Sequence, residues 1–492
     1  MDMGAPCQTV DKKLEIFKSI IRTAFNYKVD ASSTEWLGLR FYFTVILFSI
    51  AVTRCQGSQS LQFPVIAMSK ARWDHGFLLD PAVTGKDWSP PSAHPLGHRV
   101  LFNVMAEGAK GDGKTDDTEA FHQAWTKACK THSAVVYVPP GTKLFVKPRK
   151  FSGPCASKLV LKVDGTILSL DEPDSWRKTK IWLEFEGLQN FSMLGRGDIN
   201  GRGERWWAQA CRPTMKQPEM KPSLTLWGLQ AIVFQNCKNI RVSNLRIRDS
   251  QKFHLAFINC IGVRATRLHI TAPASSPNTD GIHIASSHNV SILNCRIQTG
   301  DDCISIQTGS SMLLIQDIKC GPGHGISIGS LGKDQKASVW GVIVNRVYFD
   351  HTTNGFRIKT WQGGSGHAHG MKFMNAKMNS VSKPIAIDQY YCDSPNGCAN
   401  ETSAVEISEI IFANITGTSA TNMAVDIQCS DHVPCTNIVL NNLSLRSLSD
   451  HKKAAKFSCW EVYGFVLGVN NPMSCALLHG PMETVQQSSN YC

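Results

Sequence analysis

The chain has 492 residues, enough for two or three average domains or one long repetitive one, and its 42% apolar content, 18% charged content and 38 glycines suit strands and turns better than a helix-rich fold. A formal charge of +12 directs attention to an acidic partner: nucleic acid, anionic membrane or acidic polysaccharide. The basic residues are scattered, without the cationic tract interleaved with aromatics of a nucleic-acid groove, so no nucleic-acid partner is expected.

Residues 1–40 form an N-terminal extension or cytosolic tail. Within residues 41–57, the apolar run Phe41 to Val52 fits a signal-peptide core or a single membrane anchor. Secretion to the extracellular space or cell wall is the favoured reading; membrane anchoring with the folded body outside the cytosol is the alternative. Residues 58–99, with Trp88 to Pro95 rich in Ser and Pro, form a linker, and residues 100–492 the folded domain. Its first stretch predicts a strand, a Gly/Asp turn and a helix capped at Thr115 to Thr118.

Apolar residues then recur at relative positions 1, 3, 6 and 8. Eight copies begin at Ile240, Val263, Val290, Leu313, Val342, Met371, Val405 and Ile438, at offsets of 23, 27, 23, 29, 29, 34 and 33 residues. Alternation marks strands with one buried face, and the phase switch within each copy marks a bend. Coils of this kind predict an all-β, single-stranded, right-handed parallel β-helix with an N-terminal capping helix, built as a monomer. A leucine-rich repeat needs shorter, more regular units.

Seventeen cysteines without a paired CxxC pattern point to disulfides rather than zinc. Close spacing suggests Cys303 with Cys320, Cys392 with Cys398, and Cys429 with Cys435. The odd total leaves at least one thiol over, with Cys7 a candidate, and Cys459, Cys475 and Cys492 are candidates to secure the C-terminal end. Sequons at Asn190, Asn289, Asn400, Asn414 and Asn442 fit an oxidising, glycosylating route.

In a stacked solenoid, residues one coil apart are neighbours about 4.8 Å apart. Asp280 and Asp302 are 22 residues apart, as are Asp302 and His324; Asp301 adjoins Asp302, and Arg357 and Lys359 lie one longer coil on. This predicts a column of three carboxylates, an imidazole and two cations, with glycines beside Asp301 and His324 for close approach. Crowded carboxylates cannot all ionise at their ordinary pKa, which suits glycoside hydrolysis by a protonated acid and a charged base. The two cations suit an acidic sugar. No cofactor or metal is expected.

The motifs Asn278-Thr279-Asp280, Gly300-Asp301-Asp302, Gly323-His324-Gly325 and Arg357-Ile358-Lys359 resemble those of the polygalacturonases, in particular the plant members. The resemblance extends through Gly108 to Thr118, Val135 to Gly141 and Gly201 to Trp207, covering about residues 100–480. It implies inverting hydrolysis of α-1,4-galacturonosidic bonds in homogalacturonan, with Asp301 as general acid, Asp280 and Asp302 activating water, and His324 supporting the acid's protonation. Asn278, Arg357, Lys359 and Tyr391 are then the substrate-binding residues. The chain departs from the family at Asn200, where members often show Asp, and at Asp249-Ser250-Gln251 in place of Asn-Ser-Pro; the second departure bears on a substrate-facing loop. The alternatives are a rhamnogalacturonan hydrolase, a pectate lyase that would not need the aspartate and histidine column, and a non-catalytic pectin-binding wall protein.

Overall fold

The computed structural model describes residues 99–472 except 157, 173–179, 211–229, 334, 393–397 and 450–454. These lie in one compact unit, Phe77–Cys492. The apolar run at Phe41, the linker, Cys7, Cys475 and Cys492 lie outside the described residues. Among the described residues, no helix is long and apolar enough to cross a membrane.

Every strand pairing is parallel, and each strand pairs with its counterpart one coil on, giving the expected β-helix. Three ladders run its length. The first begins with Val100–Asn103 on Ala134–Val138 and the second with Asp112–Asp116 on Lys143–Phe145. The third begins with Arg149–Ser152 on Ile181–Glu186 and forms a separate sheet of 11 strands. The first two ladders merge from Ser310–Cys320 onward, where one strand carries the chain through the bend that earlier separated two.

That bend is the phase switch of the sequence repeat. Asn244, Arg267, Asn294, Asp317, Arg346, Asn375, Asn414 and Asn442 occupy it in successive coils, all with φ between 52° and 58°. A left-handed residue reverses the alternation and turns the next side chain inward again, and asparagine and aspartate tolerate this conformation best among residues with a Cβ. The amides also join adjacent coils: Asn414 Nδ2 donates to Asn375 Oδ1 at 3.0 Å, and Asn442 Nδ2 to Asn414 Oδ1 at 3.4 Å. Asn190, Asn400, Asn414 and Asn442 are exposed, and Asn289 is half-buried.

One repeat is out of register with expectation. Met371 and Phe373 pair with Ile410 and Phe412, not with Val405 and Ile407, and Ile410 then pairs with Ile438. The cause is a second left-handed residue, Glu409, five positions before Asn414. Two bends at that spacing let Val405-Ile407-Ile410-Phe412 satisfy the repeat pattern as well as the true coil does, and all four side chains are buried.

The interior consists of columns of like side chains. Phe151, Phe185, Phe234 and Phe257 stack with centroids 5.2, 5.0 and 5.5 Å apart and planes 17–19° from parallel. Ile284, Ile306, Ile328, Ile358 and Ile387 continue the column. Each such side chain contributes about 1.5–3 kcal/mol on burial. The helix Thr118–Cys129 covers the N-terminal end, with Trp125 against Phe151, Phe185 and Phe191 at 5.0–5.6 Å. Its first turn is capped from within Thr115 to Thr118, as expected, by Asp116 and not by Asp117. Asp117 makes no side-chain cap bond and instead accepts from Lys110 N and Gly111 N, while Asp116 Oδ1 accepts from Thr118 N at 3.0 Å.

The three expected disulfides are formed. A fourth, Cys129–Cys155, ties the capping helix to the loop after Arg149–Ser152.

Candidate active site

The site lies on the outer surface where turns lead into strands of the third ladder, Ile282–Ala285, Ile304–Ile306 and Ile326–Leu331. Ile282 pairs with Ile304, and Ile304 with Ile326. Asp280, Asp302 and His324, each two residues earlier, therefore stand at three successive levels. Backbone bonds fasten the stack: His254 N donates to Asp280 O at 2.9 Å, Gly281 N to Asp302 O at 2.9 Å, and Cys303 N to Gly325 O at 2.7 Å. The glycines serve backbone approach. A Cβ on Gly300 would lie 1.9 Å from Ser276 O, and one on Gly325 would lie 2.2 Å from Asn354 O.

The single column expected for all six groups is instead a stack of Asp280, Asp302 and His324 with Asp301, Arg357 and Lys359 beside it. Asp301 shares a level with Asp302 but precedes it in the turn. Arg357 pairs with Ser327 and Lys359 with Asp388, so both cations enter from further along the strand Asn354–Trp361. Side-chain reach closes the gap: Lys359 Nζ lies 3.2 Å from Asp302 Oδ2, the amine 13% exposed and the carboxylate 4%. Ser327 Oγ donates to Asp302 Oδ1 at 2.7 Å, so both oxygens of Asp302 are engaged.

Asp301 Oδ1 accepts from His324 Nδ1 at 2.9 Å and from Asp302 N at 2.7 Å. Arg357 and Lys359 approach the ring of Tyr391 at 5.4 and 5.7 Å, and Trp361 meets that ring edge-on at 5.4 Å. Asn278 is exposed in the left-handed conformation at φ 55°. Thr279, buried beside it, accepts from Gly300 N at 3.0 Å and donates to Ser276 O, joining the two aspartate turns.

The carboxyl groups differ in charge state. Burial, then the charges of Asp301 and Asp302, push Asp280 well above the ordinary carboxylate range. Burial also raises Asp302, and the Lys359 charge opposes it. Burial raises Asp301 too, but the hydrogen bond and charge of His324 outweigh it and leave Asp301 below its usual value. His324 is raised by its bond to Asp301, against burial. The carboxyl most strongly favoured in its protonated form is thus Asp280, while the Asp301–His324 contact favours the charged forms of both partners.

Four neighbours carry no motif and were not foreseen. His283 is stacked on Phe253 at 4.3 Å and held neutral by burial, its pKa lowered to about 4; its Nδ1 lies 2.8 Å from Ser305 Oγ, and Ser305 also bonds Asp280. Ser327 holds Asp302. Lys252, whose pKa burial lowers, feels the charges of Asp280 and Asp301. The regular outward positions of His283, Ser305 and Ser327 resemble any solvent-facing alternation, so only proximity to the carboxylates reveals them. The departures at Asn200 and Asp249 to Gln251 lie together: Gln251 Nε2 donates to Gly201 O at 2.6 Å and Gly203 N to Asp249 O at 2.8 Å.

Asp301, Asp302 and His324 bring potential ligand atoms within 4.8 Å of one another. Lys359 Nζ and Ser327 Oγ engage the two oxygens of Asp302, and the positive charge of Lys359 competes with a cation there.

Residues 129–466 match the Glycosyl hydrolases family 28 model, and residues 101–152 the model described as Rhamnogalacturonase A/epimerase, pectate lyase-like. A polygalacturonase of Chamaecyparis obtusa is 46% identical over 78% of this chain and 74% of its own length. A probable polygalacturonase of Arabidopsis thaliana is 44% identical over 78% and 86% respectively. The solved endo-xylogalacturonan hydrolase of Aspergillus tubingensis superposes with a TM-score of 0.61 at 18% identity, covering 79% of this chain and all of that one. The exopolygalacturonase of Thermotoga maritima gives 0.59 at 18% identity, covering 75% and 88%. These two structures share the fold, while the family match and the plant relatives fix the kinship: the chain is a glycoside hydrolase and belongs to glycosyl hydrolases family 28.

Proposed function

We propose that the protein hydrolyses the α-1,4-galacturonosidic bonds of polygalacturonate in cell-wall pectin, and that the Asp301–His324 pair with Asp280 and Asp302 carries the chemistry. The observation that bears most weight is the 2.9 Å contact between Asp301 and His324 beside two buried carboxyls raised in pKa. The pair holds one proton, on His324 in the free enzyme. Transfer through Asp301 to the leaving glycosidic oxygen lets that bond break. A water on the opposite side attacks the anomeric carbon and yields its proton to Asp302, which ionises before Asp280 because Lys359 offsets its burial. One proton has left the first pair and one has reached the second, and exchange with solvent resets both.

Asp302 has both oxygens engaged and is nearly inaccessible, which opposes direct attack on the sugar and favours an inverting reaction through water. Arg357, with Tyr391 beneath it, and Asn278 bind the galacturonate, while Lys359 chiefly tunes Asp302. Every group comes from one chain, so a monomer suffices. The four disulfides among the described residues and the five sequons support action outside the cytosol, with secretion preferred to a membrane anchor.

Proton NMR of purified protein with polygalacturonate tests this. New reducing ends appearing first in the inverted anomeric form are expected. Unsaturated, ultraviolet-absorbing ends would establish a lyase instead, initial retention would overturn the water route, and no product would favour a binding protein.

A further inference from the structure

The seventh position of the repeat carries a charge pattern that the chain scatters and the fold collects. Arg246, His269, Arg296, Lys319, Tyr348 and Lys377 pair in that order, one per coil, on the outer face of the second ladder. Their backbones are about 4.8 Å apart, so four permanent cations stand in a file along the solenoid axis. Like charges in register oppose strand pairing. No apolar column on this face accounts for them: Arg246, Arg296, Lys319 and Lys377 are exposed and form no ion pair among the described residues. A groove of about 880 Å³ runs along the Arg296, Lys319, Tyr348 and Lys377 part of this file; it contains one carboxylate, Asp317, and Arg346 takes it up through bonds of 2.6 and 2.8 Å.

We infer that this cationic file is a second, non-catalytic binding track for the acidic polysaccharide. The inference rests on the proposed polygalacturonate substrate. A polymer with a carboxylate on each sugar supplies charges in a line, as the file does, and can run parallel to the stack of Asp280, Asp302 and His324, which climbs the same axis on another ladder. A chain held on one face raises the local concentration of its neighbouring segments at the cleft. Long polymers gain from this, and trimers too short to be held in that way do not. The file contains a single aromatic, Tyr348, where a single-stranded nucleic-acid track would use repeated stacking platforms.

The test replaces Arg246, Arg296, Lys319 and Lys377 together by Gln in the full chain. Its control is a second variant with the same loss of charge at the exposed residues Lys114, Lys130, Lys143 and Lys456. Retention on immobilised polygalacturonate, its salt dependence, and hydrolysis of trigalacturonate and of long polygalacturonate are measured for each. The file variant is expected to bind the polymer about tenfold more weakly at low salt, with a shallower salt dependence and slower cleavage of long chains, while melting and trigalacturonate hydrolysis match the wild type. Equal losses in the control variant would reduce the effect to net charge and overturn the proposal, as would unchanged retention, loss of trigalacturonate turnover, or tighter wild-type binding to DNA than to polygalacturonate. Should the wild type hydrolyse neither substrate, the proposed function fails, yet the retention arm still decides whether the file binds the polymer.

Discussion

The two faces of the third ladder respond to one geometric rule in opposite ways. Inward, the one-coil step stacks Phe151, Phe185, Phe234 and Phe257, then a run of isoleucines, and every added level removes more apolar surface from water. Outward, the same step stacks Asp280 on Asp302, and burial with like charge raises both. The inner face contributes stability, and the outer face holds an electrostatic cost that the fold must outweigh. Repetition is therefore sufficient to build the solenoid, whereas the site needs the pattern broken by charged residues and their partners.

The comparison can be broken first on the inner face. Phe185→Ala removes one ring from the middle of the stack and should lower stability by about 3–5 kcal/mol in denaturant unfolding. A loss under about 1 kcal/mol would show that the column does not act as a unit. On the outer face, His324→Gln should reduce turnover about 10–10²-fold near pH 6 with little effect on melting. The sign of its pH effect follows from the pair: His324 has a raised pKa, so the proton is present below that value and lost as pH rises through it. Removing the imidazole should move the alkaline limb of activity to lower pH, and an unmoved limb would assign that proton elsewhere.

Asp280→Asn sharpens the contrast, because loss of activity should accompany gained stability. The folded pKa of Asp280 lies above its unfolded value, so the folded state binds more protons between the two, and stability falls as pH rises through that window. The amide removes this cost, so melting at pH 7 should rise, with the gain fading near pH 3. A lower melting temperature at pH 7 would contradict the burial argument. The smallest effect expected is none: chelators should leave activity unchanged, since Lys359 supplies the positive charge beside Asp302.

Much of this was legible in the repeats. Alternation, the phase switch and the 22-residue steps from Asp280 to Asp302 to His324 are local in sequence and survive into the stack. Three disulfides were legible from short spacing. Cys129–Cys155 was not, because a helix and a loop 26 residues apart carry no such signal. The coil after Met371 misled because Glu409 and Asn414 bend the chain twice at a spacing that mimics one repeat. The inward turn of Lys359 onto Asp302, and the opposite pKa shifts of Asp301 and Asp280, depend on burial and side-chain direction, which periodicity does not encode. The cationic file was present in the repeat as Arg, His, Arg, Lys, Tyr and Lys at one position, but it becomes a feature only when coils are aligned.

The most direct measurement is the rate of reducing-end release from polygalacturonate by Asp301→Asn beside the wild type, with melting recorded for both. The account predicts a fall of about 10³-fold or more, with melting essentially unchanged, because the amide cannot pass the His324 proton to the leaving oxygen. Turnover within about tenfold of the wild type in a folded variant would contradict it.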